Sequence, residues 1–118
     1  MDDSRPLFQQ IAEALEAAVL DGSMPEGSQV PSINELAAFH RINPATALKG
    51  VTLLVDAGIL HKRRGIGMFV TEGARAQLLA SRRADFVERH IAPVVAQARA
   101  LGLSAAEVSA LITKEMER

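Results

Sequence analysis

Residues 31–70 read PSINELAAFHRINPATALKGVTLLVDAGILHKRRGIGMFV and contain two helix start signals in close succession. The segment Ser32-Ile33-Asn34-Glu35 has the form of a capping box, in which a serine and a later glutamate each bind a backbone N–H group. Asn43-Pro44 places a capping side chain before a proline at the first helical position. The sequence therefore predicts a short helix over residues 33–39 and a second over 44–57, joined as in a helix-turn-helix.

The end of the same stretch predicts a β-hairpin with a basic tip. Gly58 is typical of a residue that ends a helix in the left-handed conformation. Ile59–Arg63 and Met68–Thr71 are short extended runs with apolar anchors, and they flank Arg64-Gly65-Ile66-Gly67. Two such runs around a glycine-containing turn favour a hairpin. In this position after a helix-turn-helix, the hairpin would form a wing.

Upstream of this stretch the sequence predicts one more helix. Pro6 suits the first helical turn, and apolar residues recur on one face until Gly22 stops the pattern. Gln29-Val30-Pro31 is typical of a short extended segment. This element order predicts a winged helix-turn-helix domain over residues 1–72. The predicted fold class is mainly α with a small β-hairpin, in which this N-terminal domain precedes a two-helix C-terminal dimerisation tail.

Residues 73–118 are expected to form that tail. An apolar stripe with helical spacing runs from about Ala74 to Leu101, and Pro93 predicts a kink because it removes one backbone donor. Ser104-Ala105-Ala106-Glu107 is a second capping box, which predicts a last helix. That helix is too short to cover the stripe, so we expect pairing with a second copy of the chain. The expected dimer-interface residues are Leu79, Phe86, Val87, His90, Val94, Leu111 and Ile112, with Phe86 and Val87 at the centre.

Composition restricts the classes of function. The chain has 118 residues, 48% of them hydrophobic, which suits one folded domain with a short appendage rather than a two-domain enzyme. It has no cysteine, and its three histidines lack metal-ligand spacing, so no metal site is expected. Gly65-Ile66-Gly67 is too short for a dinucleotide fingerprint, and no nucleophile–base pair is recognisable. We therefore expect no enzyme and no cofactor.

The N-terminal residues are acidic, and no apolar run approaches the length that a membrane span requires. We therefore expect a cytoplasmic protein that does not enter a membrane.

Positive charge is concentrated in one short segment. The formal net charge of the whole chain is −1, but residues 40–64 hold five basic residues and one acidic residue, which gives this segment +4. A basic segment placed on a helix-turn-helix and a wing is suited to the phosphates of double-stranded DNA.

Candidate contacts follow from this arrangement, since the major groove admits one helix whose N-terminal side chains touch base edges. The candidate readers, on the face away from the apolar positions, are Asn43, Ala45, Thr46 and Lys49. In the hairpin, Lys62, Arg63 and Arg64 could reach phosphates or the minor groove, and Gly65 permits close backbone approach.

Several motifs in residues 6–70 occur together in one order. They are Pro6-Leu7-Phe8-Gln9-Gln10-Ile11, the segment Gly22–Ala37, Asn43-Pro44-Ala45-Thr46, Ala57-Gly58-Ile59-Leu60 and Arg63–Val70. Together they resemble the GntR family of bacterial transcription regulators, and the two-helix remainder resembles its short YtrA-like subfamily. The resemblance implies a tail that dimerises the protein and a repressor, often of a transporter operon. It also implies groove or phosphate contacts from Asn34, Asn43, Thr46 and Lys49, and a wing tip at Arg63, Arg64 and Gly65.

The sequence departs from the family's pattern at a few positions. Many members have arginine where Asn34 stands, and charged residues where Leu48, Leu53 and Val55 stand. We expect some of this additional apolar surface to pack against the tail or a partner chain. With Ser32 included, the complete set of predicted DNA contacts is Ser32, Asn34, Asn43, Ala45, Thr46, Lys49, Lys62, Arg63, Arg64 and Gly65.

Two other classes of function stay open at this point. The chain could be a winged-helix module that binds only proteins, which the acidic first helix favours. It could also be a ligand-sensing regulator with a small-molecule effector at the dimer seam. In that case we expect the effector to act through a hinge at Thr71-Glu72-Gly73, because few apolar residues anchor that segment.

Overall fold

The structure is a computed structural model that describes residues 5–118. Residues 1–4, at the start of the expected DNA-binding domain, lie outside the described part. The chain is mainly α with one small hairpin and ends in two helices, which confirms the predicted fold class. The elements are α1 Leu7–Asp21, α2 Ile33–His40, α3 Pro44–Asp56, β1 Leu60–Arg63, β2 Gly67–Val70, α4 Ala74–Phe86, a π-helical turn Val87–Ile91, α5 Ala92–Ala100 and α6 Ala105–Met116.

Helices α1 and α3 pack closely at the centre of the core. Ile11 of α1 and Val51 of α3 are fully buried. A Cβ atom on Gly50 would lie 2.7 Å from the carbonyl oxygen of Phe8, a separation that real Cβ atoms essentially never show. The missing side chain at Gly50 therefore allows the short distance between the helices. Other core residues are Leu15, Val19, Val30, Leu36, Ala47, Leu54, Ile59, Leu60 and Val70.

Both predicted start signals of the helix-turn-helix are confirmed. The Ser32 hydroxyl accepts a hydrogen bond from the Glu35 N–H at 3.1 Å, and the Glu35 carboxylate accepts one from the Ser32 N–H at 3.0 Å. The Asn43 side-chain oxygen accepts one from the Ala45 N–H at 2.8 Å. Arg41, which follows α2, has a φ of 57°, so a left-handed residue ends the helix before the chain enters α3.

The hairpin is joined to the core by a third extended segment. Strands β1 and β2 are antiparallel, with Leu60 opposite Val70. On the other edge of β2, the Val30 N–H donates to the Met68 carbonyl at 2.8 Å and the Val70 N–H donates to the Ser28 carbonyl at 3.0 Å. The extended segment predicted before α2 is therefore confirmed, and its hydrogen bonds hold the wing against the helices.

The chain divides into two compact units, one ending at Ala80 and the other comprising Ser81–Arg118, whereas the sequence predicted a boundary after residue 72. The division falls later because the first turns of α4 belong to the first unit, where Ala74 and Leu78 are buried in the core. The Arg75 guanidinium also donates to the Leu20 carbonyl at 3.1 Å.

The predicted hinge at Thr71-Glu72-Gly73 therefore lies within the first unit. Val70 and Ala74 on either side of it are fully buried in the core of that unit, and a hinge at this place stays a prediction.

The second unit contains the end of α4, the π-helical turn, α5 and α6. The interruption expected at Pro93 occurs as the π-helical turn directly before it, in which the Ala92 N–H donates to the Val87 carbonyl five residues back. Helix α6 begins at the second predicted capping box, where Ser104 and Glu107 exchange hydrogen bonds of 3.0 and 3.1 Å. Among the side chains described in this unit, Ala98 is the buried one.

Candidate nucleic-acid interface

Helix α3 presents one face to solvent, which we call the outer face. It consists of residues spaced three, four and seven apart, the spacing of one helical surface. Its members are exposed, and they are Ala45, Leu48, Lys49, Thr52 and Asp56. The opposite face is buried and consists of Ala47, Gly50, Val51 and Leu54. Packing of α3 onto the core therefore leaves the outer face uncovered by the first unit.

The structure brings most of the predicted α3 readers together. Ala45 and Lys49 lie on the outer face, and Asn43 is exposed at the N-terminus of the helix. Thr46 is half-buried at the edge of that face. Leu48, which was not among the predicted contacts, occupies the outer face next to Lys49.

Ser32 and Asn34 are exposed at the start of α2. The Ser32 hydroxyl already accepts a hydrogen bond within the capping box. The hydrogen bonds from Ser32, first from its backbone and then from its side chain, lower the pKa of Glu35 from its ordinary value. The capping carboxylate therefore stays charged at neutral pH, and it stabilises the N-terminus of the helix.

Lys49 lies at the junction of α3 and α1. Its ammonium nitrogen is 4.0 Å from the centroid of the Phe8 ring, a cation–π contact. The side chain remains exposed. The contact holds a positive charge on the outer face of α3.

The wing carries the cations predicted for it. Lys62, Arg63, Arg64 and Gly65 are all exposed. The Ile66 N–H donates to the Arg63 carbonyl at 3.0 Å, which closes a β-turn whose third residue, Gly65, has a φ of 77°. Only glycine adopts that conformation at little cost, and it leaves the backbone of the tip uncovered.

Two contacts that the sequence did not predict hold this tip. The Arg63 guanidinium carbon lies 4.2 Å from the centroid of the Phe69 ring across the hairpin. The Gln29 amide donates to the Ile66 carbonyl at 3.1 Å. Gln29 and Ile66 are 37 residues apart in the chain, so no local spacing could have indicated this contact.

The cations of residues 40–64 are not neutralised by the ion pairs that the structure shows. Those pairs, between described side chains, join Arg5 to Glu13 and Arg118 to Glu115. Arg41, Lys49, Lys62, Arg63 and Arg64 are exposed. The surface around α3 and the wing is therefore basic, although the whole chain is slightly acidic.

The second unit carries a separate apolar groove between α5 and α6, with a volume of about 320 Å³. Three of the predicted dimer-interface residues line it, namely Val94, Leu111 and Ile112. Phe86, Val87 and His90 do not line it. They are exposed instead, with the Phe86 and His90 ring centroids 5.7 Å apart, and Leu79 is half-buried. The other lining residues are Gln97, Ala98, Leu101, Leu103, Val108, Glu115 and Met116.

Within residues 5–118, no helix combines the length and the apolar character that crossing a membrane requires. In the same part of the chain, no three side chains of His, Cys, Asp or Glu form a group that could hold a metal ion.

Comparison with known proteins identifies a family and a similar relative. Residues 7–70 match the family described as bacterial regulatory proteins, gntR family. The chain is similar to the HTH-type transcriptional repressor YtrA of Bacillus subtilis, with 34% identity over 76 residues, which are 64% of this chain and 58% of YtrA. It thus spans less than two thirds of that relative.

Solved structures share the architecture. A crystal structure from Bacteroides thetaiotaomicron, assigned to the GntR family of transcriptional regulators, superposes with a TM-score of 0.81 at 26% identity and covers 95% of this chain and 97% of that one. The crystal structure of AraR(DBD) in complex with operator ORR3 superposes with a TM-score of 0.54 at 27% identity, over 56% of this chain and 80% of that one.

Proposed function

Because the chain belongs to the GntR family of bacterial regulatory proteins, we propose that it binds double-stranded DNA in a sequence-specific manner and regulates transcription. The observation that carries the proposal is the exposed outer face of α3 beside a basic wing, with Arg63 and Arg64 at the hairpin tip. A helix presented in this way fits the major groove, while cations on either side hold phosphates. The structural similarity to AraR(DBD), whose crystal structure is a complex with operator ORR3, supports this arrangement.

The proposed mode of action is repression. The relative YtrA is described as a transcriptional repressor, which supports the same role here. A protein that occupies its operator can exclude the transcription machinery without any catalytic step. A transporter operon as the target stays a prediction from the family resemblance. We propose that the protein acts in the cytoplasm, where bacterial DNA is located.

The proposed working unit is a homodimer formed through the second unit. Large apolar side chains are exposed there in one chain, including Leu101 at 74% and Met116 at 82%. An exposed apolar surface of this kind indicates association, and a two-fold axis would bury it against its own copy. The same axis would duplicate α3 for an operator with two related half-sites. A small-molecule effector at that seam stays a prediction.

The wing provides the test of DNA binding. If Arg63 and Arg64 contact phosphates, the variant Arg63→Ala/Arg64→Ala should bind every duplex more weakly. Its plot of log affinity against log salt should also flatten by about 0.9 per lost contact. The matched control is Arg82→Ala/Arg83→Ala, which removes the same charge from exposed positions of α4 and should keep the parent slope. Equal slopes for the wing variant and the parent would contradict the assignment.

The same titration tests the protein-only alternative. A winged-helix module that binds only proteins would show no retention of duplex DNA at moderate salt, with or without Arg63 and Arg64.

A further inference from the structure

Leu48 lies at one edge of the outer face of α3, in the N-terminal half of the helix, and its side chain is 50% exposed. Ala45 lies one turn before it on the same face, and both are exposed. The Thr52 hydroxyl, one turn after it, donates to the Leu48 carbonyl at 2.8 Å and is thus engaged with its own helix. The N-terminal half of the face that would meet DNA therefore presents two apolar side chains, Ala45 and Leu48, beside Lys49.

The four bases differ in what they present to such a surface. Thymine alone carries a methyl group in the major groove, whereas every base there also presents hydrogen-bonding atoms. A leucine side chain can neither donate nor accept a hydrogen bond, so a polar base edge beneath it loses its water without compensation. A thymine methyl group in the same place is buried favourably.

We propose that Leu48, together with Ala45, reads thymine methyl groups in the operator and so determines part of its sequence. This inference rests on the proposed function and adds the chemical identity of the bases recognised. Arginine and lysine at such positions commonly select guanine. An apolar pair instead selects A·T base pairs with thymine placed beneath α3.

The helix geometry limits where these thymines stand. Ala45 and Leu48 are three residues apart, which is about 4.5 Å along a helix axis. Successive bases on one DNA strand are about 3.4 Å apart. The two side chains therefore fit thymines at neighbouring positions or one position apart.

Leu53 offers a matched control on the same helix. It is also a leucine and also partly exposed, at 41%, but it lies one turn after Lys49, in the C-terminal half of α3 and on the opposite edge of the helix from Leu48. The side chains of a recognition helix that touch base edges are those near its N-terminus. A general loss of apolar surface would affect Leu53→Ala and Leu48→Ala alike. Loss of a specific base contact would affect Leu48→Ala alone.

The experiment uses the full chain and a duplex selected from random sequences. Each thymine of that duplex is replaced in turn by deoxyuridine, which removes only the methyl group, and the affinity is measured for the parent, Leu48→Ala and Leu53→Ala. For the parent and for Leu53→Ala, uracil at one or two positions in each half-site should lower the affinity about fourfold. Leu48→Ala should bind the thymine duplex more weakly and lose its response to uracil at one of these positions.

Several results would overturn the inference. One is a parent protein whose affinity is unchanged by uracil at every position. Another is Leu48→Ala with the full uracil response of the parent. If Leu48→Ala keeps the parent affinity for DNA but changes the sedimentation of the protein, the face is a protein contact instead. Failure to select any sequence is a different outcome, because it overturns the proposed function itself.

Discussion

Asn43 has one role that the structure shows and another that we propose. Its side-chain oxygen caps α3 by accepting from the Ala45 N–H at 2.8 Å, and its position places it where α3 would enter the major groove. The cap was predictable because both partners lie two residues apart in the chain. A DNA contact by the same residue is not encoded in local spacing and stays a prediction.

Substitutions at Asn43 can separate the two roles. Asn43→Ala should lower the free energy of unfolding by about 1 kcal/mol, because it removes the cap. Asn43→Ser keeps a capping oxygen and should unfold close to the parent in urea, while its affinity for the selected operator falls if the amide contacts DNA. Parent-like operator affinity in Asn43→Ser would limit Asn43 to capping.

Residues that act over long separations in the chain were harder to predict. The Gln29 amide holds the wing tip through the Ile66 carbonyl, and the Arg63 guanidinium stacks on Phe69. The sequence indicated a basic tip but not the contacts that hold it, because these depend on which segments the fold brings together.

Helix starts and strand pairing could be predicted from local chemistry, whereas the distances between helices could not. Gly50 illustrates the difference, since it lies inside a helix and has no local reason to be glycine. Glycine is needed at this position because α1 lies close to it. An added Cβ atom would be 2.7 Å from the Phe8 carbonyl oxygen and 3.1 Å from Ile11.

Gly50→Ala should therefore destabilise the protein. Alanine is the better helix former by about 1 kcal/mol, but overpacking a helix contact typically costs about 1–3 kcal/mol, and the backbone carbonyl of Phe8 cannot rotate away. Thermal unfolding should show a lower midpoint for Gly50→Ala. The control Thr52→Ala, on the exposed face of the same helix, should stay within about 0.5 kcal/mol of the parent. A Gly50→Ala variant more stable than the parent would mean that the helices are not this close.

Helix α4 shows why the tail was predicted less well. The sequence offered one apolar stripe through Leu79, but the structure buries Leu78 in the first unit instead. A helix that serves two units presents different faces along its length, so a single periodic pattern does not describe it. The π-helical turn before Pro93 shifts the register again.

The whole molecule is proposed to work as a dimer that forms through the second unit. Ile112 lines the groove between α5 and α6, whereas Thr113 does not. Ile112→Asp should convert the dimer to a monomer, because it would bury an unpaired charge in the interface. Thr113→Asp adds the same charge to an exposed position of the same helix and should remain dimeric.

Sedimentation at micromolar concentration measures this difference. A monomeric parent protein, or an Ile112→Asp variant that sediments as a dimer, would contradict the proposed interface.

We propose that a dimer of this chain recognises one DNA sequence. The most direct measurement is selection of bound duplexes from a random pool by the purified full chain, followed by salt titration of the enriched duplex. We predict enrichment of an inverted repeat whose half-sites are about ten base pairs or a multiple apart, bound more tightly than unselected DNA and more weakly as salt rises. Enrichment of no sequence, or equal affinity for the selected and the starting pools, would mean that the protein does not recognise one DNA sequence.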